Sequence, residues 1–236
     1  MLAAARQVDV RNRILATLPH REFRRLLGHL ESVHLAKGEL CIAGDTVRHA
    51  YFPVNGLLSL RSTTEAGSTA EVAMVGNEGI VGLPMINKKG TIPYDVCVQT
   101  ATDAYKIKIE IFQEEFDRGE RLQKLALAYT GLLIAQISQL CICHRFHTLE
   151  QALARWLLVA QDRVNSHTLN LTQENISNSI GVSRTGVTMA ACSLQRAGLI
   201  RYSRGKIEIL DQARLETKSC ECYRKIRDEV AQFPRD

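Results

Sequence analysis

At 236 residues the chain has room for one large or two small domains. Its 45% hydrophobic and 23% charged residues are ordinary for a water-soluble protein with a full core, not for a disordered chain. The net charge is +5, and residues from Arg145 onward hold 14 basic and 10 acidic side chains, so most of the excess points to a polyanion partner for the C-terminal part.

Val8–Leu30 reads as helix broken at Pro19, with Ile14, Leu15 and Leu18 and then Phe23, Leu26, Leu27 and Leu30 as its apolar residues. From Val33 to about Ile109 the texture changes to short apolar runs. Turn pairs recur between them, among them Gly38-Glu39, Gly44-Asp45, Asn55-Gly56, Ala66-Gly67 and Gly76-Asn77, which predicts a β sandwich or barrel. Leu58 and Leu60 alternate with Ser59 and Arg61. Val72 and Met74 alternate with Glu71 and Ala73, and Val96 and Val98 with Cys97 and Gln99, each a half-buried strand pattern.

A short helix is expected over Ile109–Phe116, and Gly119-Glu120 opens a long one. Leu125–Cys143 holds 19 residues without a charge. A transmembrane span needs about 20 apolar residues. Tyr129, Thr130, Gln136, Ser138 and Gln139 would be costly in lipid and no positive cluster flanks the segment, so the reading is a buried helix and no membrane partner. Heptad spacing nominates Leu122, Leu125, Tyr129, Leu132 and Gln136 as a dimer seam. His144–His147 is expected to be a hinge into a helix over Leu149–Val164, with Trp156 in its apolar stripe.

Leu171–Ile200 reads as two helices at a tight corner. Thr172 N-caps the first, and Gly181 ends it in the left-handed conformation. Ser183 caps the second, whose inward stripe is Val187, Ala190, Ala191, Leu194 and Ala197. Its outward face carries Arg184, Thr185, Thr188 and Arg196. Ser183–Ile207 contains five basic residues, Arg184, Arg196, Arg201, Arg204 and Lys206, and no acid. Leu199–Leu210 predicts a hairpin turning at Ser203-Arg204-Gly205-Lys206. Corner, wing and basic rim together suit a DNA major groove, where arginine can bond guanine bidentately. One helix from Gln212 to Val230 is expected to follow.

Leu171-Thr172-Gln173-Glu174, Gly181-Val182-Ser183-Arg184 and Leu194–Ile200 resemble the Crp/Fnr transcriptional regulators. The resemblance implies an α+β architecture: an antiparallel β-roll sensor of the cyclic-nucleotide-binding kind (residues 1–118), a dimerisation helix (119–144) and a winged helix-turn-helix (145–236). It places Arg184 where the family reads a guanine. Thr185 and Met189 stand where members related to the cyclic AMP receptor carry glutamate and arginine, so a different operator is expected. The family's ribose and phosphate contacts fall at Gly82-Leu83 and near Tyr94-Asp95. Leucine cannot accept a ribose hydroxyl's bond and aspartate repels a phosphate. Cyclic-nucleotide binding is therefore expected to be weak or lost, with Lys88 and Lys89 the nearest positive charges.

The seven cysteines are an odd number and no secretory signal opens the chain, so a cytoplasmic protein with reduced thiols is expected. Cys141-x-Cys143-His144 and Cys220-x-Cys222 invite a metal reading. On a helix, however, positions 141 and 143 point apart, and buried cysteine is commonly a small apolar residue, so no metal site is expected. No cysteine precedes Cys41, against the family's iron–sulfur sensors; haem at one of the seven histidines is left open, and no cofactor is predicted. No catalytic motif stands out, so an enzyme is not expected.

The resulting expectation is a homodimeric regulator of double-stranded DNA, with RNA polymerase as a further candidate partner. Arg184 would read a base, and Ser183, Thr185, Thr188 and Arg196 would touch bases or phosphates. Thr172, Gln173, Arg204 and Lys206 would hold the backbone. The alternative is a ligand- or redox-responsive module that binds protein rather than DNA.

Overall fold

The structure is a computed structural model that describes Gln7, residues 10–83 and residues 90–234. Two short helices come first, α1 (Arg13–Thr17) and α2 (His20–Leu27), separated at Pro19 as expected. Asn12 caps α1 through its side-chain oxygen. Its amide nitrogen donates to the carbonyls of Pro53 (3.0 Å) and Gly79 (2.9 Å), which fastens α1 to the sheets. The predicted start of this helical stretch, Val8, lies outside the described residues.

Seven strands follow: β1 (Glu31–Leu35), β2 (Gly38–Cys41), β3 (His49–Pro53), β4 (Leu57–Thr63), β5 (Thr69–Val75), β6 (Asp95–Thr100) and β7 (Thr102–Lys108). They form two antiparallel sheets, ordered β1-β7-β3 and β2-β6-β4-β5. This is the expected roll. Phe52, Ala104 and Ile107 from one sheet meet Leu58, Leu60, Val96 and Val98 from the other in its core.

The half-buried pattern does not hold along the second sheet. Leu60 pairs with Ala73 and Arg61 with Glu71, so Val72 is an extra residue that resets the alternation. Ala73 and Val75 enter the roll core, while Met74 joins a second core on the opposite face. That face is not solvent either: Ser59, Glu71 and Gln99 are all buried under the C-terminal part of the chain.

Next come α3 (Ile109–Asp117) and the long α4 (Arg121–Phe146). The Glu22 carboxylate caps the start of α4, accepting from the backbone nitrogens of Arg121 (3.2 Å) and Leu122 (3.0 Å), at the end where the helix dipole favours an anion. By length and composition α4 could cross a membrane. Here it packs on the roll and on the last helix. Leu122, Leu125, Tyr129, Leu132 and Gln136, the predicted seam, are each at most 5% exposed within the single chain and are not available to a partner. The exposed large apolar residues of α4 are Leu127, Ile134, Ile137, Ile142 and, at its end, Phe146. A helix apolar on every side carries no periodic signal to tell its inner face from its outer one. The helix also continues through His144 to Phe146, so the predicted hinge shrinks to His147 and Thr148.

The C-terminal part contains α5 (Leu149–Val164), β8 (Thr168–Leu169), α6 (Gln173–Ile180), α7 (Arg184–Arg196), β9 (Ile200–Ser203), β10 (Lys206–Ile209), α8 (Gln212–Lys218) and α9 (Cys222–Gln232). The expected single terminal helix is thus two. Ser219 turns to extended backbone and its hydroxyl donates to the Glu216 carbonyl, ending α8. Trp156 sits fully buried in the second core, as expected. Its indole N–H donates to Glu71 Oε1 on the roll at 3.0 Å. Arg163 pairs with Glu78 at 3.1 Å, and Gln99 bonds Ser179 at 3.3 Å across the same boundary.

Candidate nucleic-acid interface

The corner between α6 and α7 is built from local signals. Thr172 accepts from the Asn175 N–H, and the Asn175 side chain returns the bond to Thr172 N, a reciprocal cap. Gly181 takes φ +73°, the left-handed turn that lets α6 stop within one residue. Ser183 accepts from Gly186 N and starts α7. Gly186 has a separate reason to be small, since a Cβ there would come within 3.0 Å of Leu149 on α5. Val187, Ala190, Ala191 and Leu194 face the core as predicted, while Ala197 is only half-buried at the helix end.

The opposite face of α7 is open. Ser183, Arg184, Thr185 and Arg196 are exposed and Thr188 is half-buried. The hairpin β9–β10 turns at Arg204 (φ +48°) and Gly205 (φ +77°), the paired left-handed residues of a tight two-residue turn. A Cβ on Gly205 would stand 3.5 Å from Thr172, so the wing tip lies beside the start of α6. Exposed Thr172, half-buried Gln173 and exposed Arg204 and Lys206 therefore share one end of the surface. Thr172, Ser183 and Thr188 also have local duties; the Thr188 hydroxyl donates to the Arg184 carbonyl at 2.9 Å.

The rim is less acid-free than the linear count implies. Folding brings Glu174 onto Arg184 and Glu208 onto Arg201 (2.8 Å). Among the described residues, Arg196, Arg204 and Lys206 form no ion pair. Glu174 stood inside the recognised motif, but only the corner angle turns it toward Arg184.

In the roll, Gly82 has φ +113°, and a Cβ there would meet Ala50 Cα at 3.2 Å. Backbone shape and packing account for this glycine without a ligand. Leu83 is buried and Tyr94 half-buried. Asp95 accepts from Ala43 N (2.9 Å) and from the Thr63 hydroxyl (2.7 Å). Burial acts to raise its pKa, but these bonds and nearby Arg61 outweigh it and hold the carboxyl below its ordinary value. The four residues thus offer a phosphate an anion already tied to protein donors. Lys88 and Lys89 lie outside the described residues.

One grouping runs against the sequence reading. Cys141 and Cys143 do point apart, Cys141 to solvent and Cys143 inward. Cys143 nevertheless meets Cys220, Cys222 and His147, whose ligand atoms all lie within 4.8 Å of one another. His144, the histidine adjacent in sequence, is not part of it. Weighing each cysteine pair by its own spacing missed this, because the break between α8 and α9 sets the meeting.

Two family models match the chain. The cyclic nucleotide-binding domain matches residues 32–118, and the Crp-like helix-turn-helix domain matches residues 151–218. The chain belongs to the Crp/Fnr family. It is a Crp/Fnr-type transcriptional regulator with a helix-turn-helix DNA-binding domain. Solved Crp/Fnr structures share its fold. A protein assigned to the family from Eubacterium rectale superposes with a TM-score of 0.69 at 21% identity, over 87% of this chain and 96% of that one. FixK2 from Bradyrhizobium japonicum gives 0.69 at 14% identity, over 81% and 98%. The c-di-GMP responsive regulator CLP of Xanthomonas campestris gives 0.68 at 14%, over 81% and 99%. No curated protein sequence matches significantly. For a Crp/Fnr chain, the match over the roll describes the domain type.

Proposed function

We propose that this regulator binds DNA as a two-fold homodimer and that its roll does not bind cyclic nucleotides. The observation that carries the reading is the asymmetry of α7: its core face is locked by buried aliphatic residues, while Arg184, Thr185 and Thr188 stand outward beside the basic wing. Arg184 reads a base edge in the major groove. To do so it exchanges Glu174, an exposed pair worth about 0–1 kcal/mol, for the DNA. Ser183, Thr185 and Thr188 contact bases or phosphates, with Arg196 alongside. Thr172, Gln173, Arg204 and Lys206 hold the backbone. The dimer forms along the solvent face of α4, where Leu127, Thr130, Ile134, Ile137 and Cys141 follow heptad spacing.

Two substitutions test the division of roles. Arg184→Ala should lose on the order of 1–3 kcal/mol of binding and relax preference at one base pair. Arg204→Ala should weaken all duplexes alike and flatten the salt dependence by about one unit of slope. Binding isotherms on specific and random duplexes at several salt concentrations separate them; identical behaviour of both variants would defeat the assignment.

Millimolar cyclic AMP should leave the melting temperature unchanged, because neither Leu83 nor the satisfied Asp95 can anchor the nucleotide. A stabilisation of several degrees would overturn this part.

A further inference from the structure

Cys143 lies in the last turn of α4 and His147 caps that helix, so their spacing of four puts both side chains on one face. Cys220 and Cys222 flank Glu221 at the break before α9. Cys143, Cys220 and Cys222 are at most 4% exposed. All seven cysteines are free. Cys143 Sγ is 3.6 Å from Cys220 Sγ, and Cys222 Sγ is 3.7 Å from His147 Nδ1. Zinc held by sulfur at about 2.3 Å and nitrogen at about 2.0 Å in a tetrahedron gives ligand-to-ligand edges of roughly 3.5–3.8 Å.

The surroundings fit the same chemistry. The second ring nitrogen, His147 Nε2, is 3.3 Å from Glu221 Oε2. A carboxylate on the far nitrogen is how a metal-bound histidine is commonly oriented and made more basic. Buried Arg155 of α5 lies near enough to Cys143 for its charge to act on the thiol, and it would offset the single negative charge left when three thiolates bind a divalent ion. The Glu221 carboxylate is half exposed, so an ion has a path in from that side.

We propose that Cys143, His147, Cys220 and Cys222 form a closed structural zinc site. Binding makes three Zn–S bonds and one Zn–N bond and releases the thiol protons to water. The ion ties the end of α4 to the start of α9, on either side of the His147-Thr148 joint that leads into the DNA-binding domain. It thereby fixes the angle at which α4 delivers that domain. Glu221 is a positioning residue that acts through His147.

The full-length protein, stripped with a chelator and titrated with cobalt(II), should bind one equivalent per chain. The spectrum should show thiolate-to-cobalt charge transfer and the intense visible bands of a tetrahedral ion, both displaced by zinc. Metal should also protect three thiols from a thiol reagent. Cys222→Ser should abolish the signal, and His147→Ala should shift it. Glu221→Gln should weaken binding about 10- to 100-fold with the spectrum unchanged. Cys192→Ser alters an exposed thiol outside the cluster and should leave binding intact. The proposal fails if the unaltered protein gives no tetrahedral sulfur spectrum, or if Cys192→Ser removes it. Because the first readout uses the unaltered chain, a misfolded variant cannot mask the answer.

Discussion

Glu78→Ala should destabilise the protein by about 3–5 kcal/mol, the usual result of removing one partner from a buried ion pair. Glu78 sits in the turn after β5 and pairs with Arg163 of α5 at 3.1 Å, with both side chains at most 4% exposed. Without the carboxylate, Arg163 keeps hydrogen bonds to neutral groups alone, the Val159 carbonyl (3.3 Å) and Gln136 Oε1 (3.2 Å). Its charge would lose the carboxylate in direct contact with it in the boundary between roll and DNA-binding domain. Replacing both residues by apolar ones of similar size should recover most of the loss, since the pair's own attraction mainly offsets its desolvation. Urea unfolding of the single and double variants measures both terms. A loss under about 1 kcal/mol for Glu78→Ala would mean that water reaches Arg163 and that the boundary is looser than described.

The second expectation concerns pH. Burial pushes the Glu71 carboxyl up from 4.5 to about 7, against the Ser59 hydroxyl, Arg155, the Trp156 indole and Arg163, which favour its charged form. In the unfolded chain Glu71 ionises near its ordinary value. Between about pH 4.5 and 7 the folded state therefore holds the proton that the unfolded state has lost, and stability falls as pH rises. The full difference is on the order of 3 kcal/mol and is reached above pH 7. Groups with lowered values, such as Asp95 and His144, act in the opposite sense, so the test is a difference. The gap between the parent protein and Glu71→Gln, followed by urea unfolding from pH 4.5 to 8, should change by that amount in favour of the variant as pH rises. Parallel curves would show that Glu71 is solvated.

The reach of the sequence follows the range of the interactions involved. Thr172, Gly181 and Ser183 act on backbone within four residues, so the corner was legible, as was the turn at Arg204-Gly205. Trp156 was legible as core, but not its bond to Glu71, which spans 85 positions and depends on a bulge at Val72 that no alternation rule foresees. Arg184 was legible as a residue on the outward face of α7, whereas its partner Glu174 needed the angle between α6 and α7. The seam on α4 was misplaced because apolar side chains cover every face of that helix. What decided the inner face was the position of the roll and of α9. The cysteine cluster joins positions 77 apart in the chain, and only the end of α8 turns Cys220 toward Cys143.

Selection of bound duplexes from a random pool by the unaltered protein, in dilute salt, tests the central claim most directly. Two copies of α7 related by a two-fold axis should enrich an inverted repeat whose half-sites lie one helical turn, about 34 Å, apart. Retention of those duplexes should fall steeply as salt rises. A pool left unenriched, with no salt-sensitive retention and a protein that sediments as one chain, would contradict the account.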